Sequence, residues 1–163
     1  MNFLNIKTDE EVKQLAQLTS EIWHEYWPVI LSDEQIDYMV DKFQSYAAIK
    51  EQLENERYIY NILEDNGNII GYFGVSIKDD YLFLSKLYIK KDFRGLGCGK
   101  RAFNKIKQIA LQHNKKSIQL TVNKSNLNTI KAYEKWGFHT IDSVVTDIGK
   151  GFVMDDYIME FEL

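Results

Sequence analysis

The sequence predicts a single α/β domain over residues 1–163, with a central mixed, largely antiparallel sheet flanked by helices. Three observations point there. Residues 8–55 carry N-cap signals followed by apolar residues at helical spacing. Residues 58–89 read as strands around an Asn-Gly turn, and residues 87–112 pass from a strand through a glycine loop into an amphipathic helix. A chain of 163 residues suits one domain with one sizeable core, and 45% hydrophobic with 27% charged residues is ordinary for a soluble globular protein.

Taken in order, Phe3-Leu4-Asn5-Ile6 is a short first strand. Thr8-Asp9-Glu10-Glu11 is a capping box, so a helix starts there with Val12, Leu15, Ala16, Leu18 and Ile22 on its apolar face. Pro28 ends or kinks it after Trp23-His24-Glu25-Tyr26-Trp27. Ser32-Asp33-Glu34-Gln35 is a second capping box, followed by Ile36, Met39, Val40 and Phe43 at helical spacing. Ser45 caps a third helical segment that turns Tyr46, Ile49 and Leu53 inward. Tyr58 to Leu63 and Ile69 to Ile77 form a hairpin about Asp65-Asn66-Gly67-Asn68. Tyr81 to Ile89 is apolar on both faces for much of its length, which places it centrally in the sheet. Ala102, Phe103, Ile106, Ile109 and Ala110 mark the long helix after the loop, which Asn114 closes. Ile118, Leu120 and Val122 alternate with polar residues in a half-buried strand. Asn126 caps a short helix ending at Gly137, and Phe138 to Asp147 with Phe152 to Glu162 make a closing hairpin.

Met1-Asn2-Phe3-Leu4-Asn5 has neither the basic nor the apolar region of a leader peptide, and no apolar run approaches the roughly 18 residues of a membrane span. The one cysteine, Cys98, leaves no internal disulfide. The expectation is a cytoplasmic protein without a membrane partner.

Net charge is −4, but the charges are segregated. From Lys86 to Lys135 there are 13 Lys/Arg against two acids, Asp92 and Glu134. From Asp9 to Asp41 nine acids face one base, and from His139 to Leu163 six acids face Lys150. A basic centre between acidic flanks bears on partners rather than on fold. Nucleic acid is disfavoured by the negative total and by the lack of a basic-aromatic recognition motif.

The basic centre contains Leu87-Tyr88-Ile89-Lys90-Lys91-Asp92-Phe93-Arg94-Gly95-Leu96-Gly97-Cys98-Gly99. Glycines let a backbone approach an anion, and the free N–H groups of the following helical turn point at it. The dinucleotide fingerprint does not fit, because Gly95, Gly97 and Gly99 are each two apart. The nucleoside-triphosphate loop does not fit either, since its first glycine falls on Arg94 and Lys100 is followed by Arg101. What remains is Arg94-x-x-Gly97-x-Gly99. A second motif follows downstream, Asn126-x-x-Thr-x-x-x-Tyr133-x-Lys135-x-Gly137-Phe138.

Together these two motifs and the order of elements resemble the GNAT superfamily of N-acetyltransferases over nearly the whole chain, with a layout similar to bacterial spermidine/spermine-type members. The resemblance implies a GNAT-like fold and acetyl-CoA as cosubstrate. It places Leu87, Tyr88 and Ile89 against the pantetheine arm as if it were another strand. The strand from Ser117 would splay away to open the slot. Arg94, Gly95, Leu96, Gly97, Cys98, Gly99 and Lys100 would cradle the pyrophosphate. Asn126 and Lys135 of the second motif are carried over as cofactor contacts. Tyr133 would be the general acid that protonates the departing thiolate; its ordinary pKa near 10 keeps it protonated at neutral pH. By residue type alone, Tyr133 is an aromatic on an amphipathic helix and Cys98 a small residue in a tight loop.

The general base is where the chain departs from its relatives. Many carry an acid near Ser85 or Thr121, and neither residue here is a carboxylate. His24, Glu25, Asp79 and Asp80 are candidates by type, with His24 first because its pKa lies nearest neutrality. The three histidines, His24, His113 and His139, lack metal-ligand spacing, so no metal is expected. Within the family the N-terminal helices and closing hairpin build the acceptor pocket. Here those are the acidic flanks, with Trp23, Glu25, Tyr26 and Trp27 as substrate contacts, which suits a cationic amine. A polyamine therefore leads, ahead of a protein N-terminus or lysine and of an amino sugar. A homodimer is compatible with the family. A catalytically silent domain that senses acyl-CoA is the alternative of another class.

Overall fold

The computed structural model describes residues 1–163. The elements run β1 (Asn2–Asn5), α1 (Asp9–Tyr26), α2 (Asp33–Gln44), α3 (Tyr46–Asn55), β2 (Tyr58–Asp65), β3 (Asn68–Ile77) and β4 (Tyr81–Ile89). They continue with α4 (Cys98–Gln112), β5 (Ser117–Asn123), α5 (Leu127–Trp136), β6 (His139–Gly149) and β7 (Phe152–Glu162). Thr8 closes both halves of its capping box: Glu11 N–H donates to its hydroxyl at 3.2 Å and Thr8 N–H donates to the Glu11 carboxylate at 2.8 Å. The expected second box is only half made. Ser32 accepts from Gln35 N–H, but the Gln35 amide donates to the Val153 carbonyl instead of turning back, which ties α2 to β7. Pro28 sits at the start of a short 3-10 turn, Trp27–Val29, where its missing N–H costs nothing.

The seven strands are ordered β1-β2-β3-β4-β5-β7-β6, so β4 is central, as its two-faced apolar pattern predicts. All neighbours are antiparallel except β4 and β5. That parallel pair lasts only from Tyr81 opposite Ser117 to Leu84 opposite Leu120. Beyond it β4 stays with β3 and β5 stays with β7, so the sheet forks. A bulge sits at the branch point: Val75 pairs with Leu84 and Gly74 with Lys86, leaving Ser85 without an opposite residue. A bulge of this kind bends its strand and re-aims the side chains beyond it.

The core is divided by the sheet. Leu82, Leu84, Ile118 and Met159 pack with Phe103, Ile106 and Tyr133 of α4 and α5. Tyr60, Ile62 and Tyr72 pack on the other face with Leu15, Ile22 and Ile49 of α1 and α3. A smaller cluster of Trp23, Trp27, Ile36, Met39 and Ile148 joins the end of α1 and α2 to the closing hairpin. At about 25 cal/mol per Å², each fully buried large side chain contributes roughly 1.5–3 kcal/mol. The third cluster is what holds the N-terminal helices over the fork.

Candidate active site

A cavity of about 1250 Å³ opens where β4 and β5 part. It is lined along β4 by Ser85 to Ile89 and along β5 by Thr121 to Asn123. Past Leu84 the β5-facing edge of β4 has no strand partner, so Leu87, Tyr88 and Ile89 line the slot with an unpaired strand edge. Backbone polar groups at such an edge are a template for an extended amide-bearing ligand.

At one end lies the glycine loop. Gly95 and Gly97 have φ of +75° and +80°, a region that favours glycine, and a Cβ built on either meets nothing within 4 Å. The loop surface is therefore open. Gly97 is the N-cap of α4 and supplies no side-chain cap, which leaves the first-turn N–H groups facing the cavity end. Lys91, Arg94, Lys100 and Lys135, four members of the basic block, line the cavity. Burial lowers the Lys100 ammonium from its ordinary range, with help from Lys107. Gly99 packs against Trp136, and Cys98, the buried first residue of α4, lines the cavity beside it. Leu96 does not join them; it is 69% exposed and stands outside the cavity.

Arg94 folds inward. Its Nε donates to the Ile89 carbonyl at 2.8 Å, its guanidinium lies 5.0 Å from the Tyr26 ring centre, and Nη2 is 3.8 Å from Glu25 Oε1. Glu25 also accepts from Lys91 N–H at 3.2 Å. Glu25 is thus engaged with Lys91 and Arg94 beside the glycine loop and is not a free base.

Tyr133, on α5, lines the other wall. It is buried, with Trp136 and Phe138 at 5.5 and 5.4 Å between ring centres, and burial pushes its phenol well above the ordinary value. The hydroxyl stays protonated at any physiological pH. Asn126 begins α5, but its side chain does not cap the helix; Oδ1 accepts from the Tyr26 hydroxyl at 2.9 Å, which also reaches Thr129 at 2.8 Å. The expected cap is a cross-tie between α1 and α5 over the fork.

His24 does not fit the base assignment. It lies outside the cavity, its Nε2 is 2.6 Å from Asp37 and its Nδ1 is 2.7 Å from the Ser20 carbonyl. Both ring nitrogens face oxygen acceptors, an arrangement that favours the protonated ring over the free base. The Asp37 hydrogen bond accordingly raises its pKa. Asp79 and Asp80 sit at the β3–β4 turn, beyond the reach of the cavity, where Asp79 pairs with Arg57 at 3.6 Å. Trp23 and Trp27 form the cavity wall rather than an open contact surface: both are buried, and Trp23 Nε1 donates to the Tyr72 hydroxyl at 2.6 Å. Ser85 accepts from Tyr58 at 2.9 Å and from Lys86, whose ammonium burial pushes down to about 8. His139 gathers with Glu160 and Glu162 on the outer hairpin, a grouping that sequence spacing does not reveal.

One group that sequence reasoning missed lines the cavity. Asp156 of β7 lies opposite Asn123 at the end of β5, is only 8% exposed, and its Oδ1 has no hydrogen-bond partner. Burial pushes its carboxyl up to about 6, with Asp155 adding to the rise and Lys124 opposing it. A signal was present: Phe152, Met154, Asp156 and Ile158 share one face of β7, so an acid interrupts an apolar register.

An unpaired strand edge, a glycine loop at a helix start and a buried phenol all line one fork. The model of the acetyltransferase (GNAT) family matches residues 12–138. The chain belongs to the GNAT acetyltransferase family. A curated relative, a Bacillus subtilis protein described as a putative ribosomal protein bS18-alanine N-acetyltransferase, is 29% identical over 87 residues, 53% of this chain. The match spans 58% of that relative's length. Among solved structures, the PaiA N-acetyltransferase of Thermoplasma acidophilum in complex with coenzyme A superposes with a TM-score of 0.80 at 21% identity, covering 100% of both chains. A chimera of the Vibrio cholerae spermidine N-acetyltransferase SpeG and hSSAT gives a TM-score of 0.69 at 16% identity, over 99% of this chain and 96% of that one. These likenesses establish the GNAT fold. The cavity fits the family's cosubstrate, with a free strand edge for the pantetheine amides and open, basic loop surface for the phosphates.

Proposed function

We propose that this protein transfers an acetyl group from acetyl-CoA directly to a primary amine, both substrates being held together in the forked cavity. Acetyl-CoA, when bound, supplies the acetyl thioester. The chain's own residues do the rest. Leu87 to Ile89 align the arm along β4, and the first turn of α4 with Arg94 and Lys100 holds the anionic end. Tyr133 keeps a proton at neutral pH and donates it where the thiolate departs. Holding amine and thioester in one slot removes most of the orientational cost of a bimolecular step. The observation that carries this reading is the placement of the buried Tyr133 in the same cavity as the unpaired edge of β4.

The acceptor is narrower than the acidic flanks suggest. Asp9, Glu10, Glu11, Glu21, Asp33, Glu34, Asp37 and Asp41 lie outside the cavity, whose acids are Glu25 and Asp156. Glu25 is engaged by the loop, and Met39, Phe43, Ile148 and Met154 supply apolar wall. One free carboxylate in an apolar chamber favours an amine with a single cationic centre and a hydrocarbon or aromatic body over a polyamine.

The test is thiol release from acetyl-CoA with 2-phenylethylamine, spermidine and an alanyl peptide. Turnover fastest with the monoamine is expected, and Tyr133→Phe should lower kcat about 10²–10⁴-fold with coenzyme A affinity unchanged. No turnover with any amine, despite coenzyme A binding, refutes the enzyme reading and leaves a sensing domain. Equal kcat in Tyr133→Phe removes the proposed acid.

A further inference from the structure

We propose that Asp156 receives the acceptor's ammonium group and takes its proton, a role that rests on the acetyltransferase reading above. Two features single it out. Buried carboxylates that serve structure are satisfied by hydrogen bonds, whereas Asp156 Oδ1 has none and lines the cavity. Its neighbour Asp155 is the opposite case, half exposed and paired with Lys124 at 2.7 Å.

The position is at the fork. Asp156 lies across from Asn123, the last residue of β5, on the strand that follows β5 after it has parted from β4. The groups around it are few. Asn123 and Val144, its partners on β5 and β6, carry no charge. Asp155 and Lys124 are paired beside it. Across the slot is Tyr88 of β4, whose phenol is raised first by burial, then by the approach of Tyr26 and Tyr133, and also by Asp156 itself. Tyr88 therefore stands within electrostatic reach of both Tyr133 and Asp156. Tyr133 and Asp156 both line this cavity, the phenol as proton donor and the carboxylate as proton acceptor for the transfer. Tyr88 and Tyr133 are neutral at physiological pH, and Lys124, the cation that bears on the Asp156 carboxyl, is held by Asp155 at 2.7 Å.

The step balances as follows. The ammonium R–NH3⁺ gives one proton to Asp156, and the freed lone pair forms the N–C bond to the acetyl carbon. The C–S bond breaks with its electrons on sulfur, and sulfur takes the phenolic proton of Tyr133. The second proton lost by nitrogen restores Tyr133, and Asp156 releases its proton to solvent. Burial raises the carboxyl to about 6, which makes it a stronger base than an ordinary aspartate while it is still ionised at pH 7.

The experiment compares wild type, Asp156→Asn and Asp156→Glu with 2-phenylethylamine as probe. For wild type, kcat/KM should rise to a plateau above the carboxyl's pKa and stay flat to pH 9. Asp156→Asn should lower it about 100-fold at pH 7 and make it climb tenfold per pH unit up to pH 9, because only pre-deprotonated amine then reacts. Asp156→Glu should recover part of the rate and the plateau. Independently of turnover, the carboxyl carbon resonance absent from Asp156→Asn should titrate near pH 6 in the ligand-free protein, and 2-phenylethylamine should move that titration to lower pH. A reduced rate in Asp156→Asn with the wild-type pH profile overturns the proposal, as does a carboxyl that titrates in the ordinary range and ignores the amine. Wild type inactive on every amine overturns the acetyltransferase reading and the proposal with it. Active wild type with an equally active Asp156→Asn overturns the proposal alone.

Discussion

Replacing Asp156 with asparagine should make the protein more stable at neutral pH. The carboxyl is raised from an ordinary value of 3.8 to about 6, chiefly by burial. A carboxyl with a higher pKa in the folded state binds its proton more tightly when folded. Stability is then greatest below the unfolded value, falls as pH rises between about 4 and 6, and is lowest above 6. At roughly 1.36 kcal/mol per pH unit, the two values differ by about 3 kcal/mol, and solvent access through the cavity mouth reduces this to about 2 kcal/mol. Asparagine has the same shape and no charge, so it removes that cost. In a chain of this size the gain corresponds to roughly 4–8 °C in Tm. Thermal unfolding of both proteins at pH 7.5 and pH 5 measures it, and the difference should shrink to roughly half at pH 5, where the wild-type carboxylate is mostly protonated. A mutant equal to or less stable than wild type at pH 7.5 refutes the reasoning, since it means Asp156 is satisfied in the fold. So does a difference that is the same at both pH values. A site group that costs stability is expected where catalysis demands an unsatisfied charge.

Other outcomes follow from the same geometry. His24→Gln should leave kcat/KM and its pH profile unchanged, while the Tm loss relative to wild type is larger at pH 6 than at pH 9. The Asp37 hydrogen bond raises the His24 pKa, so its contribution is present below the unfolded value and disappears as pH passes the folded one. Arg94→Gln should weaken coenzyme A binding about tenfold by calorimetry, the loss of roughly one charged hydrogen bond, and should reduce the salt dependence. Lys86→Met should raise stability by roughly 2 kcal/mol at pH 7, because desolvation of the ammonium outweighs its bond to Ser85. That gain should fade between pH 8 and 10.5, where wild-type Lys86 loses its proton in both states; urea midpoints at pH 7 and pH 10 decide it.

The elements were legible because their signals are local. Thr8 and Glu11 cap α1 within one turn, Asn66-Gly67 sits at the β2–β3 turn, and the two-faced apolar run of Tyr81–Ile89 is the central strand. Ser32 and Asn126 were harder. Each stands at a helix start as its type suggests, but Gln35 and Asn126 spend their side chains on Val153 and Tyr26, partners more than 90 residues away.

The sequence by itself determined the glycine loop at one end of the cavity, the end we propose for the donor. A phosphate-binding loop is made of consecutive backbone N–H groups, and the positive φ of Gly95 and Gly97 is written in the residue type, so spacing alone separated this loop from nucleotide-binding ones. The residues we propose for the acceptor end are visible only in the tertiary structure. Whether a carboxylate or an imidazole can take a proton depends on what surrounds it, and those surroundings come from distant parts of the chain. Asp37 and the Ser20 carbonyl set acceptors against both nitrogens of His24 and favour its protonated ring. Burial at the fork of β4 and β5 leaves Asp156 unpaired and raises its pKa, in a strand where the letters show only an acid among apolar residues.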